Sequence, residues 1–304
     1  MPFTTPVARW RPLGASFGAP PKSRPGPNPR KVEVTKTALY SAWIWATLVV
    51  GVTLGFCVLA PLSVCSRPFD PTLRLAGSFF RLVGRSVARL SLLWHFRAVP
   101  PYPPRLDGPF VVVSNHESNL DAFLISFLPY EMKWLAKDSL FKVPFIGWSM
   151  ALAGDIPVVR GKGASVDRAM GRCRQLLAQG MPVFLFPEGT RAHSEAMLPF
   201  KDGAFRLALE AGCPVLPLAV AGTSRGLRKN SLRFYPSKAR VCVGQPVAVA
   251  PLLAKMADPP DPMTFDDALL ELKEATRMQV STMRAALRQN LGLVGDVPQA
   301  SPTV

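Results

Sequence analysis

A histidine is followed five residues later by an aspartate in the run Asn115-His116-Glu117-Ser118-Asn119-Leu120-Asp121. An imidazole beside a carboxylate can take a proton from a hydroxyl, because the carboxylate fixes the tautomer and stabilises the imidazolium that forms. The same aspartate has a second reading. Ser118-Asn119-Leu120-Asp121 matches a capping box, in which Asp121 would only satisfy a helix N-terminus. Spacing alone does not choose between the two. A second cluster is Phe186-Pro187-Glu188-Gly189-Thr190-Arg191. Its glycine would let backbone amides approach an anion, and its arginine offers a planar fork matched to phosphate. Taken in isolation, the plainer reading is a turn carrying a solvated arginine.

Both clusters follow apolar runs of buried-strand type, at 110–113 and 183–186. Ligands of α/β proteins sit at such carboxyl ends. Further strands are expected at 133–136, 215–220 and 239–243, with helices at 121–128, 166–178 and 203–211 between them. Strands interleaved with helices predict an α/β domain with a central, mostly buried sheet flanked by helices. An amphipathic helix at 264–289 has its acids early and its arginines late, as the helix dipole prefers.

Two other elements precede this domain. Residues 37–66 carry no charge, enough for a bilayer-spanning helix, and Tyr40, Trp43 and Trp45 stand where an interfacial belt would lie. Lysine and arginine flank the run on both sides, so the positive-inside rule gives no orientation. Residues 71–99 read as a basic amphipathic helix, with Arg74, Arg81, Arg85 and Arg89 on one side and a membrane surface or the domain itself as its partner. Residues 1–37, rich in proline, glycine and basic side chains, are expected to be a disordered arm, and 291–304 a flexible tail. The domain proper is then 100–290, behind membrane-anchoring helices at 38–99.

The chain has 304 residues and a formal net charge of +16, which favours anionic partners: nucleic acid, anionic lipid or phosphorylated substrates. The apolar run and the lack of a recognition motif speak against nucleic acid. Five scattered cysteines and three histidines show no metal-ligand spacing, so no metal is expected. His95 falls in the amphipathic segment and His193 on a loop, neither in a catalytic pattern. Ser114 or Ser118 could suggest a hydrolase, but no Gly-x-Ser-x-Gly elbow is present.

Together the two clusters, about 70 residues apart, resemble the His-x4-Asp and Pro-Glu-Gly-Thr-Arg blocks of the glycerolipid acyltransferases, specifically the 1-acylglycerol-3-phosphate acyltransferase branch. Lys137-Asp138-Ser139-Leu140-Phe141, continuing to Gly154-Asp155-Ile156-Pro157-Val158-Val159-Arg160, resembles the family's second block. Pro214-Val215-Leu216-Pro217-Leu218-Ala219 resembles the fourth. The resemblance covers roughly 105–250. It implies a glycerol-3-phosphate acyltransferase-like fold and acyl transfer from acyl-CoA or acyl-carrier protein, with no other cofactor, to the free hydroxyl of a lysophospholipid. The expected acceptor is 1-acylglycerol-3-phosphate, giving phosphatidic acid. Another lysolipid, such as lyso-ornithine lipid, is the alternative acceptor, and a non-catalytic membrane-anchored lipid-binding protein is the alternative function. His116 would be the general base and Asp121 its orienting partner. Glu188, Gly189, Thr190 and Arg191 would hold the acceptor, with Lys137 and Arg160 as further phosphate ligands. Acyl thioesters are cytosolic, which would set the active site on the cytosolic side of a membrane. Glu117 stands where the family more often has glutamine, and its charge is expected to raise the His116 pKa.

Overall fold

The computed structural model describes residues 29–102, 108–192, 196–258 and 262–293. Most of the basic arm, His193 and most of the C-terminal tail lie outside these residues.

Seven strands form one mixed sheet in the order β1-β7-β6-β2-β5-β3-β4. They are β1 (Trp94–Val99), β2 (Val111–Ser114), β3 (Lys133–Lys137), β4 (Ile156–Val158), β5 (Val183–Leu185), β6 (Val215–Ala221) and β7 (Ser237–Val243). All neighbours run parallel except β6 and β7, so β1 and β7 run against the rest. The apolar runs at β2, β5 and β6 are continuous because helices cover both faces. Val111 and Val113 of β2 join one core with α6 (Gly163–Ala178), α7 (Gly203–Ala211) and α10 (Phe265–Asn290). Val112 points the other way, into a core shared with α1 (Pro29–Ser66), α2 (Arg74–Leu90) and α3 (Asp121–Ile125).

The helix α1 begins at Pro29, so residues 29–37, read from composition as part of the arm, are helical. A proline is tolerated there because the first-turn N–H groups have no intrahelical acceptor in any case. Lys36–Ser66 is long and apolar enough to cross a membrane. It is nonetheless fastened to the domain at both ends: Trp45 Nε1 donates to the Leu232 carbonyl at 3.1 Å, and Ser63 Oγ to that of Leu152 at 2.8 Å. Ile44, Leu48, Val52 and Leu59 are buried, while Trp43, Val50, Leu54 and Val58 are exposed. Two glycines set how closely α1 meets α2. A Cβ on Gly51 would stand 2.7 Å from Val87 Cγ2, and one on Gly55 2.8 Å from Val83 Cγ1. Gly51-Val52-Thr53-Leu54-Gly55 thus brings two backbones together, as small-xxx-small spacing allows.

The amphipathic helix is shorter than expected. It ends at Leu90; Leu92 has a positive φ, and the alternating Trp94-His95-Phe96-Arg97 forms an edge strand instead. His95 therefore lies on β1, exposed, and not on a helix. Nor do the four arginines form one outward row. Arg81 turns inward, ion-paired with Asp155 and stacked 4.8 Å from the Trp134 ring centroid. The exposed apolar side chains Leu75, Leu82 and Leu90 face out instead. Beneath α2, the fully buried Lys133 donates to Glu131 Oε1 (2.7 Å) and to the carbonyls of Leu73 (2.7 Å) and Ala153 (2.9 Å), so all three of its protons are used. Gly77 makes room for this ion pair: its Cβ would stand 1.8 Å from Glu131 Oε1.

Candidate active site

The end of β2 is held by the side chain of Asn115. Its Nδ2 donates to the Val220 carbonyl at 3.0 Å, and its Oδ1 accepts from Val220 N–H at 2.9 Å. This side chain continues the β2–β6 ladder by one step and fixes where the next residue, His116, emerges. The backbone N–H of His116 donates to Glu188 Oε1 at 2.8 Å, and its carbonyl accepts from Ala192 N–H at 3.0 Å. The imidazole stacks on Phe186, with centroids 3.8 Å apart and planes at 17°. The ring thus has little rotational freedom.

Nδ1 of His116 lies 2.7 Å from Asp121 Oδ2. The same oxygen accepts the backbone N–H groups of Glu117 (2.8 Å) and Ser118 (3.0 Å), while Oδ1 accepts the Thr223 hydroxyl. Asp121 is wholly buried. Only half of the expected capping box forms: Asp121 accepts Ser118 N–H, while the Ser118 hydroxyl bonds the Leu227 carbonyl and Leu120 N–H instead of Asp121 N–H. The N–H groups that lead into α3 aim the carboxylate at the ring. With two N–H donors on Oδ2, the ring nitrogen facing it is the protonated one, which leaves Nε2 as the basic atom. Among the described residues Nε2 has no hydrogen-bond partner.

Glu117 points away from the imidazole. Arg284 of α10 donates to its Oε1 from Nε (3.1 Å) and pairs with it through Nη2 (3.0 Å), and Gly222 N–H donates to Oε2 (3.0 Å). Burial holds the Glu117 carboxyl above the usual range, with the Arg284 charge opposing that rise. The expectation that Glu117 acts on His116 as a free negative charge is thereby corrected, since its charge is already paired.

The second cluster divides in two. Glu188 is buried and turned inward: besides His116 N–H, it accepts Leu198 N–H on Oε2 at 2.9 Å. Burial raises its pKa and these two N–H groups pull it back. With both oxygens committed to backbone, it staples the two blocks together; the expectation that it contacts an acceptor does not fit this placement. Gly189 takes φ +68°, open to glycine at no cost, and its missing Cβ leaves Lys201 room 3.0 Å away. Thr190 is exposed, and Arg191 is half-buried. Arg160, just past β4, feels the Arg191 charge: burial first, then that neighbour, lower its pKa. Lys137 is exposed at the end of β3, beside Val158. Lys229 reaches the same rim, 3.3 Å from the Arg191 carbonyl.

Thr223, Arg284, Lys201 and Lys229 are not among the site residues expected from the sequence. Thr223 was reachable, since Gly222-Thr223 follows the apolar β6 run as Asn115-His116 follows β2. Arg284 lies 167 residues from its partner on a helix whose face gives no local sign of it.

A family model described as Acyltransferase matches residues 95–221. The match runs from β1 to the end of β6. A 1-acyl-sn-glycerol-3-phosphate acyltransferase of Chlamydomonas reinhardtii is 35% identical over 212 residues, 66% of this chain and 59% of that protein. The human 1-acyl-sn-glycerol-3-phosphate acyltransferase alpha is 37% identical over 153 residues, 50% of this chain and 53% of its own. The chain therefore spans little more than half the length of these relatives. The crystal structure of the 1-acyl-sn-glycerophosphate acyltransferase PlsC from Thermotoga maritima shares the fold, with a TM-score of 0.65 at 21% identity, covering 84% of this chain and 98% of that one. The acyltransferase match ends at 221, so Thr223 and Arg284 complete the site from beyond it.

One consequence concerns Arg284. A carboxyl whose folded pKa lies above its unfolded one stabilises the fold while protonated, and loses that contribution as pH rises through the folded pKa. Arg284→Met removes the charge that opposes the rise at Glu117. The variant is expected to lose about 3 kcal/mol at pH 8 and clearly less at pH 5, and the double variant Glu117→Gln/Arg284→Met should recover most of the loss and its pH dependence. Denaturant melts at the two pH values check this. Equal losses at both would mean that Arg284 acts by packing alone.

Proposed function

We propose that this chain moves a fatty acyl group from a thioester donor, acyl-CoA or acyl-carrier protein, to the free hydroxyl of 1-acylglycerol-3-phosphate, giving phosphatidic acid. The observation that carries this reading is His116 held against buried Asp121, with Nε2 left as its basic atom. Nε2 takes the acceptor's hydroxyl proton as the oxygen attacks the thioester carbonyl. Asp121 stabilises the imidazolium. The tetrahedral intermediate collapses with cleavage of the C–S bond, and the imidazolium returns its proton to the leaving thiolate. Neither Ser114 nor Ser118 is placed as a nucleophile: both hydroxyls are buried and donate to the Asn115 and Leu227 carbonyls.

Support for a phosphate-bearing acceptor comes from Arg191 and Arg160, close enough to repel each other, with Lys201 over Gly189. A cation cluster of this kind is stabilised by a shared anion. The exposed apolar side chains of α1 and α2 would sink the domain against a lipid surface, where acceptor and product both reside. The cytosolic side of that membrane, where thioesters are made, is the side the active site would face.

The test is an acceptor panel with the chain in lipid vesicles and a labelled acyl thioester. We expect kcat/KM for 1-acylglycerol-3-phosphate to exceed that for monoacylglycerol and for lyso-ornithine lipid by at least about tenfold. Equal or better use of lyso-ornithine lipid would overturn the acceptor assignment, and transfer to no lysolipid would favour a lipid-binding role.

A further inference from the structure

Two stretches of the chain, 71–106 and 211–257, contain no aspartate or glutamate. The fold brings them together as neighbouring strands, β1 and β7, paired in parallel. Their register sets His95 beside Lys238 and Arg97 beside Arg240. Paired residues on adjacent strands share a face, with strands about 4.8 Å apart, so four basic side chains occupy one small patch. His95, Arg97 and Lys238 are exposed. The half-buried Arg240 guanidinium donates from Nη1 to two backbone carbonyls, those of His95 (2.8 Å) and Ala239 (2.9 Å). Among the described residues, none of the four has a carboxylate partner. Burial and the neighbouring Arg97 charge both lower the Arg240 pKa, a sign that the patch repels itself. Like charges directly opposite destabilise a sheet, and among the described residues no carboxylate offsets them.

The position of the patch selects its partner. Trp94, Phe96, Ala239 and Val241 alternate with these residues and point into the core shared with α1 and α2. The basic side chains therefore face away from the helices whose apolar side chains would meet lipid, which disfavours a membrane and favours a partner arriving from water. The patch also lies at the catalytic end of the sheet. Arg240 pairs with Ala221, two residues before the Thr223 that bonds Asp121, and β2 is only two strands, about 10 Å, from β7.

We infer that the outer face of the β1–β7 pair docks an acidic protein that carries the acyl group as a thioester. This rests on the acyl-transfer reading above and adds a docking surface for one class of donor. Electrostatic complementarity of this kind governs encounter and is weakened by salt.

The experiment uses the full chain in nanodiscs of neutral lipid, with a dye-labelled acidic acyl-carrier protein as the probe. Arg97→Glu, Lys238→Glu and the double variant alter exposed side chains outside the catalytic cluster. His116→Ala, in which turnover should be slowed about 10³-fold, serves as the reference for binding. Binding followed by anisotropy should weaken at least about tenfold in the double variant, and about tenfold in the parent between low and high salt. The double variant's kcat/KM should fall by a similar factor with the carrier-borne donor and stay within about twofold with acyl-CoA. Equal losses with both donors, or unchanged carrier binding, would overturn the inference. So would a defect confined to flotation with anionic vesicles. Charge-dependent carrier binding without transfer from either donor would leave the surface standing and remove the acyl-transfer reading; transfer without such binding would do the reverse.

Discussion

His116→Ala should lower acyl transfer by about 10³-fold, inside the 10²–10⁴ range of a general base, or about 4 kcal/mol of transition-state stabilisation. Its fold should persist, because what the mutation removes is functional more than structural. The backbone N–H that bonds Glu188 and the carbonyl that accepts Ala192 N–H belong to the main chain and stay in place. Asp121 loses one of its four partners and keeps the N–H groups of Glu117 and Ser118 and the Thr223 hydroxyl. The substitution also removes the ring stacked on Phe186, a loss of about 1 kcal/mol. Activity should therefore collapse while the melting temperature moves by only a few degrees. A variant that kept more than a tenth of parental activity would show that another group takes the hydroxyl proton.

Asp121 allows the two functions of one carboxylate to be separated. In Asp121→Asn the amide oxygen can still sit where Oδ2 accepts the two backbone N–H groups, and the Thr223 hydroxyl can turn to accept from the amide. The end of the helix survives and the negative charge is lost. The imidazolium that forms during proton transfer then has no counter-charge, and activity should fall by about 10²–10⁴-fold with about 1 kcal/mol of stability. Asp121→Ala should be as inactive, and in addition lose about 2–3 kcal/mol, because two buried N–H groups are left without an acceptor. Steady-state kinetics and denaturant melts on both variants provide the check. An active Asn variant beside an unstable Ala variant would reduce Asp121 to a cap.

The site was legible in the sequence to the extent that its parts are local. His116 and Asp121 lie within one strand–helix connection, and an apolar run ahead of each block marks the strand ends that present them. β2, β5, β6 and the helix Gly203–Ala211 fall within a residue or two of expectation, because a strand covered on both faces is apolar throughout and a helix is not. Elements whose pattern was short or interrupted were missed. β1 hid inside a basic helical pattern until Leu92 broke the helix, and β4 is only three residues long. Roles decided by distant partners were less legible still. Glu188 looks like a substrate ligand in its block and is a staple in three dimensions, a difference set by Leu198 N–H and His116 N–H. Glu117 looks like a free charge beside the base, and Arg284 from the C-terminal helix neutralises it. Arg81 reads as one of a lipid-facing row, yet the buried Asp155 draws it inward. In each case a polar group buried during folding had to find a partner, and that partner lay on another element.

The most direct measurement follows the fate of a labelled acyl chain. The chain, in vesicles containing 1-acylglycerol-3-phosphate, is given a labelled acyl thioester, and lipid, free fatty acid and intact protein are resolved by mass spectrometry. Direct transfer through His116 predicts label in phosphatidic acid at every turnover, none bound to protein, and free fatty acid no faster than in the His116→Ala control. Label released chiefly as free fatty acid, or held covalently on the protein before the acceptor is added, would contradict direct attack by the acceptor hydroxyl.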